Sequence, residues 1–233
     1  MSNQPAAVII GATGLVGRGI VGALCGAGWR VIAAARDGAK LSALSAEFDQ
    51  VATVVGSVAD DRSAGHLAEE VRQLAGAPDA VIATVNLPIV EERLSDMPSE
   101  RLVEVLGGNV VTHFCAAKAF LPILAPAGRY IGIGGGMADF MAPGMGSVSM
   151  SQAAQRNMFR FLADENPGRS IVELMLLSYI VDPADEATAD PRHIRTDEVG
   201  AHVRAVLERP EEFAGPILAL KSRGQVGQPE RAK

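Results

Sequence analysis

Three glycines, Gly11, Gly14 and Gly17, follow the apolar run Val8-Ile9-Ile10 and open a helical pattern. That spacing supports the binding of a dinucleotide diphosphate. The first glycine permits a tight turn, the second lets backbone approach the anion, and the third lets the helix sit close to the strand. The anion then faces the unpaired N–H groups of the helix start. The residues expected to hold it are Gly11, Thr13, Gly14, Leu15, Val16 and Gly17. The next apolar run ends Ala33-Ala34-Ala35-Arg36-Asp37. A carboxylate there would bind the adenosine ribose hydroxyls and favour NAD, whereas a guanidinium would bind a 2′-phosphate and favour NADP. Arg36 stands first, so NADP is the expected cofactor and NAD the less favoured one. Arg18 could supply a second cation. A solvated surface role competes with phosphate binding for both arginines.

Other reactive side chains form no familiar constellation. His, Asp, Glu and Cys nowhere show metal-ligand spacing, and there is no Gly-x-Ser-x-Gly elbow. Cys25 and Cys115 lie in small-residue, apolar contexts and read as buried reduced thiols. His66 and His193 read as isolated and exposed. Ser147 reads as a helix N-cap, although Ser147 or Ser149 could instead donate to a ligand. Met137, Met141, Met145 and Met150 surround a glycine-rich loop, as an apolar lid or as ordinary loop packing.

The elements that must position these residues alternate along the chain. Strands are expected at Val8–Ile10, Trp29–Ala35, Val51–Val55, Ala80–Thr84, Tyr130–Ile133, Ile171–Leu177 and Pro216–Leu220. Helices are expected at Gly14–Ala27, Asp37–Phe48, Ala59–Ala75, Ser99–Leu124, Ser147–Asp164 and Thr196–Leu207. Strands that are apolar throughout and separated by helices indicate a parallel sheet covered on both faces. The expected fold is therefore α/β, a Rossmann-type doubly wound sheet of about seven strands, formed by residues 1–233 as a single domain. The least ordered segments are expected at Gly134–Gly146, Asp182–Arg195 and after Gly224.

Composition agrees with this reading. Hydrophobic residues make up 48% of the 233, aromatic residues only 4%, so Ala, Val, Leu and Gly must do the packing. A net charge of −6 with scattered basic residues argues against a nucleic-acid surface. The start, Met1-Ser2-Asn3-Gln4-Pro5, has no basic region, and the apolar run at 6–10 is too short for a signal core or a membrane span. A cytoplasmic protein without membrane partners is expected.

With these residues in view, the chain resembles the short-chain dehydrogenase/reductase family over nearly its whole length. It is nearest the compact branch, although Gly-x-x-Gly-x-x-Gly looks more like the extended or atypical branches. The resemblance implies that Ser57, with Val58 beside it, stands where the family has an adenine-contacting Asp. It implies that Ile180 lies in the segment contacting the nicotinamide carboxamide. The family's fourth strand usually ends Asn-Asn-Ala-Gly; here it ends Ala83-Thr84-Val85-Asn86. Asn109 matches the helix Asn that bends its helix and holds a proton-relay water. Lys118, on the same helix, reads as solvated.

The family's carbonyl-polarising Ser falls at Gly135, and its catalytic Tyr and Lys fall at Val148 and Gln152. No Tyr or Lys occurs between 131 and 178. In the family, Tyr delivers a proton to the nascent alkoxide and Lys lowers the Tyr pKa; Val and Gln can do neither. Tyr179 is the candidate substitute donor, with an aromatic plug as its competing role. Two functional readings stand. One is an NADP(H)-dependent oxidoreductase of unorthodox mechanism acting on an unidentified small molecule. The other is a catalytically inactive dinucleotide-binding sensor, regulator or partner subunit. The resemblance also implies a homodimer or homotetramer built on the two long helices, with Met158, Phe159, Phe161 and Leu162 supplying apolar surface.

Overall fold

Short runs of Ala, Val, Ile and Leu can be buried on both faces only if helices cover both sides of a sheet. The computed structural model, which describes residues 4–48 and 51–230, has that arrangement. Strands β1 (Ala6–Ile10), β2 (Arg30–Ala35), β3 (Val51–Val55), β4 (Ala80–Ala83), β5 (Arg129–Gly135) and β6 (Ser170–Leu176) form its sheet with β9 (Ile217–Leu220). The order is β3-β2-β1-β4-β5-β6-β9, and every pairing is parallel. Helices α1 (Leu15–Gly26), α2 (Gly38–Glu47) and α7 (Thr196–Glu208) pack on one face. Helices α3 (Asp61–Ala75), α5 (Thr112–Phe120) and α6 (Gly146–Glu165) cover the other. After β1 the chain winds to one side through β2 and β3; it then returns to start β4 on the other side of β1. That reversal opens a crevice beyond the carboxyl ends of β1 and β4.

Three expectations change. The long helix is interrupted: α4 (Ser99–Leu106) passes through a π turn at Gly107–Val111 before α5 begins. Two glycines weaken the helix there, and a Cβ on Gly108 would overlap the Leu87 side chain. Second, Ser147 caps nothing. Helix α6 starts at Gly146, Met145 precedes it without a side-chain cap bond, and Ser147 is buried inside the first turn. Third, the segments expected to be least ordered carry structure of their own. Short 3-10 turns occupy Met137–Asp139 and Pro183–Thr188, and β7 (Ile180–Val181) pairs with β8 (Ile194–Arg195). Arg195 and Arg223 converge on Glu186 at 2.9 and 2.8 Å, and Arg223 also holds Glu198 at 2.8 Å. The tail folds back through Gln225, whose Oε1 accepts from Lys221 N at 2.7 Å. The reading of Met1–Asn3 lies outside the described residues, as does the end of the tail at 231–233. Cys25 and Cys115 are free thiols, half-buried and buried. Lys118 is exposed, as expected, and pairs with Asp61. Among the described residues, no helix is long and apolar enough to cross a membrane.

One feature of β5 governs the packing of the α6 face. Its glycines lack side chains, and neighbours enter the space. A Cβ on Gly132 would overlap the Phe159 ring, one on Gly134 the Glu173 carboxyl, and one on Gly135 the Gln152 amide. Glu173 is fully buried, and neither of its oxygens has a hydrogen-bond partner among the described residues. Burial outweighs the nearby positive charge of Arg156 and Arg160, and its carboxyl is pushed up to about 8. Burial also pushes the His113 and His202 rings down to about 4.

These shifts predict opposite pH dependences. The folded chain keeps the Glu173 proton after the unfolded chain has released it, so stability falls as pH rises from the ordinary carboxyl range to about 8. The two histidines act below pH 6.5: the unfolded chain gains protons that the folded chain refuses, and stability is lost as pH falls toward 4. Between pH 7 and 8 the histidines are largely neutral in both states, and Glu173 is the main member of this set that titrates. Urea unfolding should lose about 1 kcal/mol over that window. Glu173→Gln should remove the slope, and a flat natural profile would contradict the assignment.

Candidate functional site

The crevice at the strand reversal is a cleft of about 410 Å³, within the range of small-molecule sites. Its floor is the turn after β1. Gly11 adopts a left-handed conformation (φ 85°), and its N–H donates to Ala34 O at 2.8 Å. The Thr84 hydroxyl, at the end of β4, donates to the Ile10 and Gly11 carbonyls at 3.0 Å each. A Cβ on Gly11 would stand 2.6 Å from Thr84 O. Helix α1 begins directly behind this turn. Gly17 is buried there, and a Cβ on it would lie 2.9 Å from Ala12 Cα and overlap the Gly11 carbonyl. The first intrahelical bond runs from Arg18 N to Gly14 O at 2.9 Å. The N–H groups of Leu15, Val16 and Gly17 therefore have no partner within the helix. No side chain caps this end. The donors and the helix dipole suit a diphosphate.

Further along the cleft stand Arg36, Asp37 and Lys40. Asp37 caps α2: its Oδ1 accepts from Ala39 N at 3.0 Å and Lys40 N at 3.1 Å. Arg36 and Lys40 are exposed, and neither makes an ion pair among the described residues. Ser57 and Val58 line the adjoining wall, where Ser57 Oγ accepts from Ala59 N at 3.2 Å. Lys40 was missed in the sequence because it lies one helical turn beyond the strand end, outside the position where a specificity residue is sought. Thr84, Asn86 and Leu87 also line the cleft and were not singled out as ligand residues.

Of the expected cofactor residues, Gly11, Thr13, Gly14, Arg36, Ser57 and Val58 line the cleft. Leu15 is exposed at the helix start, Val16 packs against the core, and Gly17 lies beneath the turn. Ile180 packs half-buried in β7, away from the cleft wall. Arg18 is not with them. It pairs with Glu47 on a separate groove between α1 and α7.

Asn109 sits in the π turn and is buried. Its Oδ1 accepts from Leu87 N at 2.7 Å, and its Nδ2 donates to Ser151 Oγ at 3.3 Å. The amide thus ties the loop after β4 to α6. On that helix, Val148 is buried, and Gln152 Oε1 accepts from Met137 N at 2.7 Å. Tyr179 is 79% exposed and stacks against His193, ring centres 5.3 Å apart. It lines a different hollow, with Arg192 and Lys221. It is therefore not a buried plug, and His193 is half-buried rather than freely exposed. His113 is fully buried against Phe159.

The enoyl-(acyl carrier protein) reductase family model matches residues 11–227. The chain belongs to the short-chain dehydrogenase/reductase family. Members of that family are dinucleotide-binding oxidoreductases, and the cleft has the donors and cations that such a ligand needs. Solved structures share the fold. An alcohol dehydrogenase from the archaeon Thermococcus sibiricus, complexed with 5-hydroxy-NADP, is 24% identical with a TM-score of 0.83, covering 94% of this chain and 97% of its own. A glucose/ribitol dehydrogenase-type member from Brucella melitensis is 17% identical with a TM-score of 0.81, covering 93% and 94%. A short-chain dehydrogenase from Streptomyces avermitilis is 20% identical with a TM-score of 0.80, covering 94% and 89%. No curated protein matches the chain.

The turn geometry separates two substitutions. A Cβ on Gly17 meets backbone that cannot yield, whereas one on Gly14 stands 3.3 Å from Gly11 O. Gly17→Ala should cost about 1–3 kcal/mol in denaturant unfolding, as overpacking does. Gly14→Ala should cost less than about 1 kcal/mol but weaken binding of a dinucleotide at the turn. Equal stability losses would contradict this division.

Proposed function

We propose that the protein binds NADP(H) in the cleft and is an oxidoreductase of unorthodox mechanism on a small molecule. The observation that carries the cofactor choice is the state of the three charges at the end of β2. Asp37 turns one carboxylate oxygen, Oδ1, to two backbone N–H groups of α2, and Arg36 and Lys40 make no ion pair among the described residues. A 2′-phosphate supplies the missing negative charge, and a guanidinium holds it with two parallel bonds. Bound NADP(H) would supply hydride chemistry; the chain's part is to hold the diphosphate at the start of α1 and the 2′-phosphate at Arg36 and Lys40.

The unorthodox part rests on what stands at the end of β5 and the start of α6. Val148 has no proton to give, Gln152 has no charge, and Gly135 has no hydroxyl. Asn109 uses both ends of its amide on Leu87 and Ser151. Tyr179 faces another hollow, so its role as donor would require movement of the segment after β6. The same observations favour a second reading, a binding module with little turnover.

Calorimetry tests the cofactor choice. A charge-assisted pair is worth ~1.5–3 kcal/mol, so Arg36→Ala should weaken NADPH binding about tenfold or more and leave NADH nearly unchanged. Lys40→Ala should have a smaller effect in the same direction. Tighter binding of NADH than NADPH by the natural protein would overturn the assignment. Purified protein should also turn over simple alcohols, ketones and aldehydes slowly or not at all. Robust NADPH oxidation with such a panel would refute the reading of Val148 and Gln152.

Self-association belongs to the same proposal. Val103, Val111 and Phe114 on the α4–α5 run and Met150 and Phe161 on α6 are exposed apolar side chains. Phe159, expected among the contact residues, instead fills the space over Gly132, and Met158 and Leu162 are half-buried against the core. A two-fold pairing of these helices would cover the exposed set in a homodimer, and a second pairing would make a homotetramer. Light scattering at micromolar concentration should give at least twice the chain mass; a monomer would count against it.

A further inference from the structure

Gln152, on α6 against the end of β5, is a side chain whose chemistry is still unassigned. Its Oε1 accepts from Met137 N at 2.7 Å. A backbone N–H can only donate, so this bond fixes which end of the carboxamide is oxygen. The Nε2 end is thereby turned toward Gly135, where a Cβ would overlap it. Nε2 makes no hydrogen bond among the described residues, and the side chain is only half-buried. The acceptor end is braced from behind. Met137 opens the 3-10 turn that ends at Asp139, and Asp139 accepts from Arg156 NH1 at 2.8 Å. Arg156 lies one helical turn beyond Gln152 on α6, and its side chain is 10% exposed. On the other side, Asn109 links Ser151, the neighbour of Gln152, to Leu87 on the cleft wall. A fixed amide donor without a protein partner among the described residues thus stands at the carboxyl end of β5, joined to the cleft wall through Ser151, Asn109 and Leu87.

Resting on the reading that the cleft takes NADP(H), we propose that Gln152 Nε2 donates a hydrogen bond to a carbonyl oxygen of the small molecule held beside the cofactor. Gln152 then selects ligands that present an acceptor oxygen. It polarises that oxygen without supplying a proton, since an amide N–H is retained throughout. Asp139 and Arg156 are positioning residues, acting through the Met137 turn.

The test is a fluorine NMR titration of 4-fluoroacetophenone into protein saturated with NADP⁺, the oxidised form, so that no ketone is reduced. 1-Ethyl-4-fluorobenzene, which lacks the oxygen, is the control ligand. The natural protein should bind the ketone more tightly than the control. Gln152→Glu keeps an acceptor for Met137 N–H and replaces Nε2 by oxygen. It should weaken the ketone about tenfold or more, with NADP⁺ and control affinities unchanged. Gly135→Ala, whose methyl takes the space of Nε2, should reproduce the loss. Unchanged ketone affinity in Gln152→Glu, equal weakening of ketone and control, or no ketone binding by the NADP⁺-loaded natural protein would each overturn the proposal. Failure of the natural protein to bind NADP⁺ would instead sink the cofactor reading.

Discussion

The missing side chains of β5 set the depth at which the α6 face of the sheet is packed. A strand at the centre of a parallel sheet ordinarily fills its own surface with branched residues. Gly132, Gly134 and Gly135 fill nothing, so side chains from other elements must come down to the backbone. Phe159 does so over Gly132 and carries α6 close to the sheet. At that depth, Gln152 reaches the mouth of the strand and can bond the Met137 turn. The turn, the amide and the wall next to the cleft follow from one seam. A methyl on Gly132 would reach them all, because the ring above it cannot retreat without lifting the helix.

The same seam explains an otherwise costly feature. A carboxyl group with no partner is expensive to bury, and it answers by holding its proton. Glu173 occupies the space left by Gly134 and is pushed up to about 8. Arg156, close enough to act on it, donates to Asp139 instead. The guanidinium is thereby committed to holding the turn in front of the site.

Much of the framework was legible because its signals are local. Apolar runs of Val and Ile gave the strands, and the glycine spacing located the turn that floors the cleft. Arg36 was legible because it follows a strand whose end the pattern marks. What was not legible depends on partners distant in sequence. The π turn at Gly107–Val111 is secured by Asn109 reaching Leu87, 22 residues earlier. The structure of the Asp182–Arg195 segment depends on Arg223, far down the chain. Phe159 and Phe161 look equivalent on paper, yet one is fully buried and the other 57% exposed. Only the position of α6 over Gly132 distinguishes them.

Charge differs along the cleft in a way that would orient a ligand. At the end of β2, Arg36 and Lys40 make no ion pair among the described residues, and Oδ1 of the carboxylate between them caps a helix. At the strand reversal, the open end of α1 adds donors and a partial positive charge. Beyond the cleft lining, at the carboxyl end of β5, stand Val148, Gln152 and glycine, with the charge of Arg156 paired to Asp139. An elongated molecule with its negative charge at one end and in its middle gains most by lying with that end at Arg36. On the proposed reading, its neutral end lies toward the Gln152 amide, which can donate a hydrogen bond to an oxygen but is not an acid. Orientation alone can still lower a barrier when the reacting partners are held in contact.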